Sequence, residues 1–156
     1  KFVARCLVMA EKNAQHTVAV DAIVWVIEHS FSSSKKAEAV SWLARDHSED
    51  PRLGKIAGRL RVIPGSATEK ILLAILEKNP DRVARGKACY SLASLYKSNS
   101  DLARALKRPG RSQEAARTAN LSEEELRQLA KSDPDQFGRL AEQYCERTIA
   151  KYRDIN

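Results

Sequence analysis

Residues 77–96 read EKNPDRVARGKACYSLASLY, and residues 11–30 read EKNAQHTVAVDAIVWVIEHS. Both start Glu-Lys-Asn, pass a short polar break and continue into an apolar run. In 77–96, Ala88, Leu92, Leu95 and Tyr96 recur every three or four positions, the spacing that places side chains on one face of an α-helix. The 11–30 stretch is ambiguous alone, because its Val and Ile residues between 18 and 27 would also suit a buried strand. Its alignment with 77–96 decides the matter. A one-residue gap sets Trp25 on Tyr90 and Ile27 on Leu92, so residues 18–27 are expected to form the second helix of a hairpin, with Trp25 and Tyr90 buried at equivalent positions.

Helix ends of one type, AEKN at 10–13, ARDH at 44–47 and LEKN at 76–79, recur at a spacing of about 33 residues. A short polar link and a second helix are expected after each. A fourth unit is expected in EEELRQLAK at 123–131, a break at Ser132-Asp133-Pro134 and a long helix over 135–153. Hairpins of this length cannot bury their apolar faces singly, so they stack. The fold class expected is all-α: one domain over 1–156, a right-handed superhelix of stacked helical hairpins resembling tetratricopeptide or HEAT arrays in period. The tetratricopeptide signature itself is missing, since Trp25 falls in a second helix and Trp42 precedes Leu43-Ala44 rather than Leu-Gly.

Local punctuation supports helices throughout. Asp50-Pro51, Asn79-Pro80 and Asp133-Pro134 each join a capping side chain to a proline suited to the first turn. Ser66-x-x-Glu69 and Ser122-x-x-Glu125 have the capping-box pattern, and Ser32, Ser33 and Ser34 form a loop and cap. Acidic residues 123–125 suit the first turn of a helix. Gly54, Gly58 and Gly86 read as close-packing positions. The segment 107–120, with Pro109-Gly110 and little apolar content, is expected to be an exposed insertion with a short helix around 113–118.

The chain is 43% hydrophobic and 30% charged, the balance of an ordered helical domain. Its longest apolar stretch is interrupted by Asp21 and is too short to cross a bilayer. It has no starting Met, and Lys1 already continues a helical pattern, so it reads as a piece of a longer protein. The net charge is +7, and Arg104, Lys107, Arg108 and Arg111 stand out as a basic run, with Arg117 beyond. A solvated loop is the first reading of that run, a surface for an acidic partner the second, and a nucleic-acid contact the third. No nucleic-acid partner is expected.

Cys6, Cys89 and Cys145 are far apart and make no CxxC; each lies among apolar helix positions and is expected in the core. His16, His29 and His47 are isolated, so neither a metal nor another cofactor is expected, and no nucleophile-and-base pairing or phosphate-binding glycine loop is legible.

The stretches VDAIVWVIEH (20–29), LARDH (43–47), EKILLAILEKNPDRVARGKACYSLASLYK (69–97) and AEQYCERTIAKYRDI (141–155) resemble a helical region that stands ahead of a thioredoxin-fold domain in certain bacterial redox proteins of the thiol-disulfide reductase or peroxiredoxin-like type. The similarity runs from Ala10 to Ile155 and weakens across 107–120. Its most specific part is the final E-x-x-x-x-K-Y-x-D helix. The resemblance implies a non-catalytic accessory or scaffold domain, with a thioredoxin-like partner domain following in the same chain and an envelope location. The catalytic CxxC belongs to that downstream domain, so no catalytic residue transfers to this sequence. A self-standing helical-repeat module that binds a protein or peptide is the alternative, and a basic nucleic-acid binder the third reading.

Overall fold

The computed structural model describes residues 2–14, 16–119 and 121–155. The helical expectation at Lys1 and the end of the 107–120 segment at Asn120 lie outside the described residues, as do Gln15 and Asn156. Among the described residues every regular element is helical: α1 (Phe2–Lys12), α2 (Thr17–His29), α3 (Ser33–Asp46), a 3-10 helix (Pro51–Ile56), α4 (Ala57–Leu60), α5 (Ser66–Lys78), α6 (Arg82–Leu106), α7 (Ser112–Thr118), α8 (Glu123–Lys131) and α9 (Pro134–Tyr152). None of these helices is long and apolar enough to cross a membrane.

The β-branched run of α2 is helical because its neighbours cover most of its circumference. Val20, Ile23, Val24, Val26 and Ile27 are all buried, against α1 on one side and α3 and the 3-10 helix on the other. Ser30 ends the helix, its backbone N–H donating to the Val26 carbonyl. Contacts then follow chain order, α1 on α2, α2 on α3, α3 on α5 and α5 on α6, and α6 meets α9 over its length. The 25-residue α6 is the spine of the second half, touching α4, α5, α7, α8 and α9.

The even spacing of hairpins fails in the second unit. After α3, where a second full helix is expected, residues 51–60 form only the 3-10 helix and the single turn α4. Pro51 is accommodated at the start behind Asp50, whose side chain accepts from the Arg52 N–H at 2.9 Å. Leu53, Ile56, Ala57 and Leu60 are nonetheless fully buried, so this short piece fills the place of a helix.

Four cap readings are resolved by geometry. The Ser122 and Glu125 capping box is formed, and Asp133 caps α9 with Pro134 in its first turn. Asn79 is not the cap of α6; Asp81 is, accepting from Val83 N–H at 2.9 Å. Buried Asn79 instead ends α5, donates from Nδ2 to the Pro51 carbonyl at 2.8 Å and accepts from Asp81 N–H, tying the 3-10 helix to the α5–α6 corner. The Ser66 and Glu69 box does not form. Gly65, at φ 115°, precedes the helix and Ser66 is its first residue. Glu125 of α8 accepts from Ser66 N–H at 3.2 Å, and Glu69 accepts from the Tyr96 hydroxyl at 2.6 Å.

The aromatic alignment is also corrected. Trp25 is 39% exposed and Tyr90 49% exposed, whereas Trp42 is buried at 5%. Trp25 stacks on His29, four residues along, and meets Phe2 edge-on, lying across the outside of α2. The cysteines divide as well: Cys89 is buried with Sγ directed to the Tyr144 carbonyl, Cys6 is half-buried, and Cys145 is exposed rather than in the core.

Asp50 gives the fold an acid-sensitive corner. The Arg52 side chain bonded to it, against a smaller opposing effect of burial, holds its carboxyl below the ordinary 3.8. A lowered carboxyl contributes stability that is present above the unfolded value and lost as pH falls through the folded one. Replacing Asp50 by Ala removes the cap and the ion pair together and is expected to cost about 1–2 kcal/mol at neutral pH. That cost should shrink as urea midpoints are compared from pH 7 down to pH 3. A cost that does not change with pH would rule out the ionised cap.

Candidate functional site

The basic run singled out in the sequence is not one free set. Arg104, near the end of α6, pairs with Asp135 at 2.6 Å, and Lys107 donates to the Ser132 carbonyl at 2.6 Å. Both brace the turn between α8 and α9. Arg108 and Arg111 flank the Pro109-Gly110 turn and are exposed, and α7 beyond them buries no residue.

A different set of cations converges elsewhere. Residues 51–68 contain Arg52, Lys55, Arg59 and Arg61 and no acid; residues 82–100 contain Arg82, Arg85, Lys87 and Lys97 and no acid. The fold packs these two stretches together through α4 and α6. Buried Ser91 donates to the Ala57 carbonyl at 2.8 Å, satisfying an acceptor that a one-turn helix leaves open. That bond sets the register of α4 on α6. Residues 87 and 90, three apart on one face of α6, consequently lie beside Gly58, Arg59 and Arg61.

The result is an open hollow of about 330 Å³ lined by Lys55, Gly58, Arg59, Arg61, Lys87 and Tyr90. Gly58 keeps its floor low, since a Cβ there would meet nothing nearer than Lys87 Cδ at 3.9 Å. Arg59 donates to the Glu28 carbonyl at 3.3 Å. Among the described residues none of Lys55, Arg59, Arg61 and Lys87 has an ion-pair partner.

Across Lys87 and Tyr90 the hollow continues into a second one of about 280 Å³, lined by Gly86, Thr148, Tyr152 and Ile155. Its wall is fixed by the end of α9. Arg82 forks onto both oxygens of Asp154 at 2.8 Å and also donates to the Lys151 carbonyl at 2.7 Å. Gly86 lets that end approach, because a Cβ there would stand 2.9 Å from Ile155 Cδ1. Among the described residues no carboxylate lines either hollow.

Elsewhere, Tyr96 is stacked on Phe137 and Tyr144, and burial first, then its bond to Glu69, pushes its hydroxyl pKa up. Burial also pushes Glu125 up, but bonds from Ser122 and Ser66 outweigh it, leaving the carboxyl below its ordinary value. These groups join α5, α6, α8 and α9, which is a structural task. A further apolar hollow, between Met9, Ala10, Val18 and Ala19 on α1 and α2 with Asn13 and His16 at its edge, has no Asp, Glu, Lys or Arg among the described residues of its lining. No set of three or more His, Cys, Asp or Glu residues among those described is arranged to hold a metal.

The basic hollow is not legible from charge taken along the chain. The usable signal was the two acid-free segments, each amphipathic, whose exposed faces meet only once α4 is docked on α6. No family model, no curated protein and no solved structure matches the chain.

Proposed function

We propose that this chain is a non-catalytic interaction domain: helical hairpins stacked in a right-handed superhelix, serving as the accessory region of a thioredoxin-fold redox protein. The observation that carries the interaction reading is the convergence of Lys55, Arg59, Arg61 and Lys87, without ion-pair partners among the described residues, around half-exposed Tyr90. Like charges held together repel one another, and a partner of opposite charge would relieve that repulsion and be steered to the site. Stacked order is supported by contacts that follow the chain from α1 to α6 and on to α9. The redox association rests on the resemblance of residues 69–97 and 141–155.

A self-standing interaction module would use the same surface and differs in what the gene encodes next. Reading the codons after Asn156 separates the two. A thioredoxin-like strand pattern with CxxC or a lone active Cys is the expected result, and a stop codon there would leave the self-standing module.

The 156-residue chain by itself is expected to neither reduce insulin disulfides nor consume peroxide above the buffer rate. Its thiols are distributed as a buried Cys89, a half-buried Cys6 and an exposed Cys145. Turnover abolished by Cys89→Ser or Cys145→Ser would make the domain an enzyme and end the scaffold reading.

A further inference from the structure

We propose that the double hollow across Lys87 and Tyr90 is the docking site for an acidic peptide segment carrying one apolar side chain. This rests on reading the chain as an interaction domain and names the chemistry of its partner. The first hollow presents Lys55, Arg59, Arg61 and Lys87 from three elements, with no acid among the described residues of its lining. Carboxylates are the complementary groups, and Arg59 and Arg61 offer the planar forks that bind them in pairs. The second hollow, walled by the Tyr90 and Tyr152 rings, Thr148 and Ile155, offers mainly carbon. An occupant that spans both must therefore place negative charge over α4 and an apolar group against the end of α9.

A peptide with carboxylates beside a Leu-like side chain meets both demands. A nucleic-acid strand meets the first alone, since its phosphates recur at every unit, and stacking along it would use a series of aromatic platforms. Here Tyr90 is the single half-exposed ring between the hollows. The site is also built to persist. Ser91 fixes α4 on α6, and Arg82 with Asp154 fixes the end of α9, so the walls are in place before anything binds.

The test is a fluorescence-anisotropy titration of the 156-residue chain with a fluorescein-labelled peptide of Asp and Glu residues around one central Leu. Saturable binding is expected, and the double variant Lys55→Glu/Arg61→Glu should weaken it by about tenfold or more. Replacing the central Leu of the peptide by Ser, or Tyr90 by Ser in the chain, should weaken it by about fivefold. The control Arg108→Glu/Arg111→Glu, the same charge change on the exposed turn, should alter affinity by less than about twofold. If circular dichroism shows the double reversal unfolded, the milder Arg61→Gln/Lys87→Gln pair supplies the same comparison.

Absence of saturable binding overturns the proposal, as does an equal loss in the turn control, which would reduce the effect to general cationic attraction. Tighter binding of a single-stranded oligothymidylate of matching length, with the same sensitivity to the variants, would overturn it in favour of nucleic acid. These outcomes are independent of the reading frame after Asn156. A stop codon would end the redox association and leave the titration standing, and a failed titration would leave the redox association untouched.

Discussion

Replacing Trp42 by Ala is expected to lower the unfolding free energy by about 3–5 kcal/mol, the range for deleting a large buried aromatic side chain. Trp42 is 5% exposed on α3, within the core formed with Leu43, Val40 and the residues of α1 and α2, and its ring stacks on His47 at 4.7 Å. Its Nε1 is buried and finds no acceptor among the described residues. Phe at this position would lose ring volume but also remove that unpaired donor, whose burial costs about 1–3 kcal/mol. Trp42→Phe is accordingly expected to cost less than half as much as Trp42→Ala. Trp25→Ala gives the contrast. With 39% of Trp25 exposed, the loss should be about 1 kcal/mol, the scale of its ring contacts with His29 and Phe2. Urea unfolding of the three variants measures all of this. Equal losses at the two tryptophans would mean that α2 is rotated from the orientation described.

That pair of residues also shows where the sequence was a good guide and where it misled. Helix existence was legible at 18–27, because after the shared EKN at 11–13 and 77–79 a one-residue gap aligns that segment with 83–92. Which face of that helix would be inward was not. The alignment carried Trp25 onto Tyr90 consistently, and the two are indeed alike, but in being half-exposed. Apolar character alone does not set direction, since large amphipathic rings lie readily across a helix exterior. The capping residues around 122–125 and 133–134 were legible because their partners lie within one turn. Glu69 and Glu125 were not fully so, because their partners Tyr96 and Ser66 come from other helices. The same limit hid the basic hollow: the charges that form it belong to segments joined only by docking, and the run that is contiguous in sequence, 104–111, is partly consumed by bonds to Asp135 and Ser132.

Gly54→Ala is expected to destabilise the protein by about 2 kcal/mol, although Gly to Ala within a helical turn ordinarily gains stability. The reason is a close approach of two backbones. A Cβ on Gly54 would stand 2.7 Å from Ala84 Cβ and 3.1 Å from Asn79 Nδ2. Ala84 is buried in the first turn of α6 and its methyl cannot swing aside, and Asn79 is held by the Pro51 carbonyl. The 3-10 helix must therefore move outward as a body. Ala84→Gly alone should cost about 1 kcal/mol, from helix propensity and the buried methyl. Combined with Gly54→Ala it restores the missing space, so the double variant should be more stable than the sum of the two losses by about 1 kcal/mol or more. Additive losses would show that residues 54 and 84 do not touch. The displacement has a functional consequence too. Lys55 follows Gly54 directly, and α4 with Arg59 and Arg61 continues from the same 3-10 helix, so pushing it off α6 widens the basic hollow against Lys87. Gly54→Ala should thus weaken binding of the acidic peptide probe while the chain is still folded, and adding Ala84→Gly should return it. Stability recovered without affinity would separate the wall of the hollow from the packing beneath it.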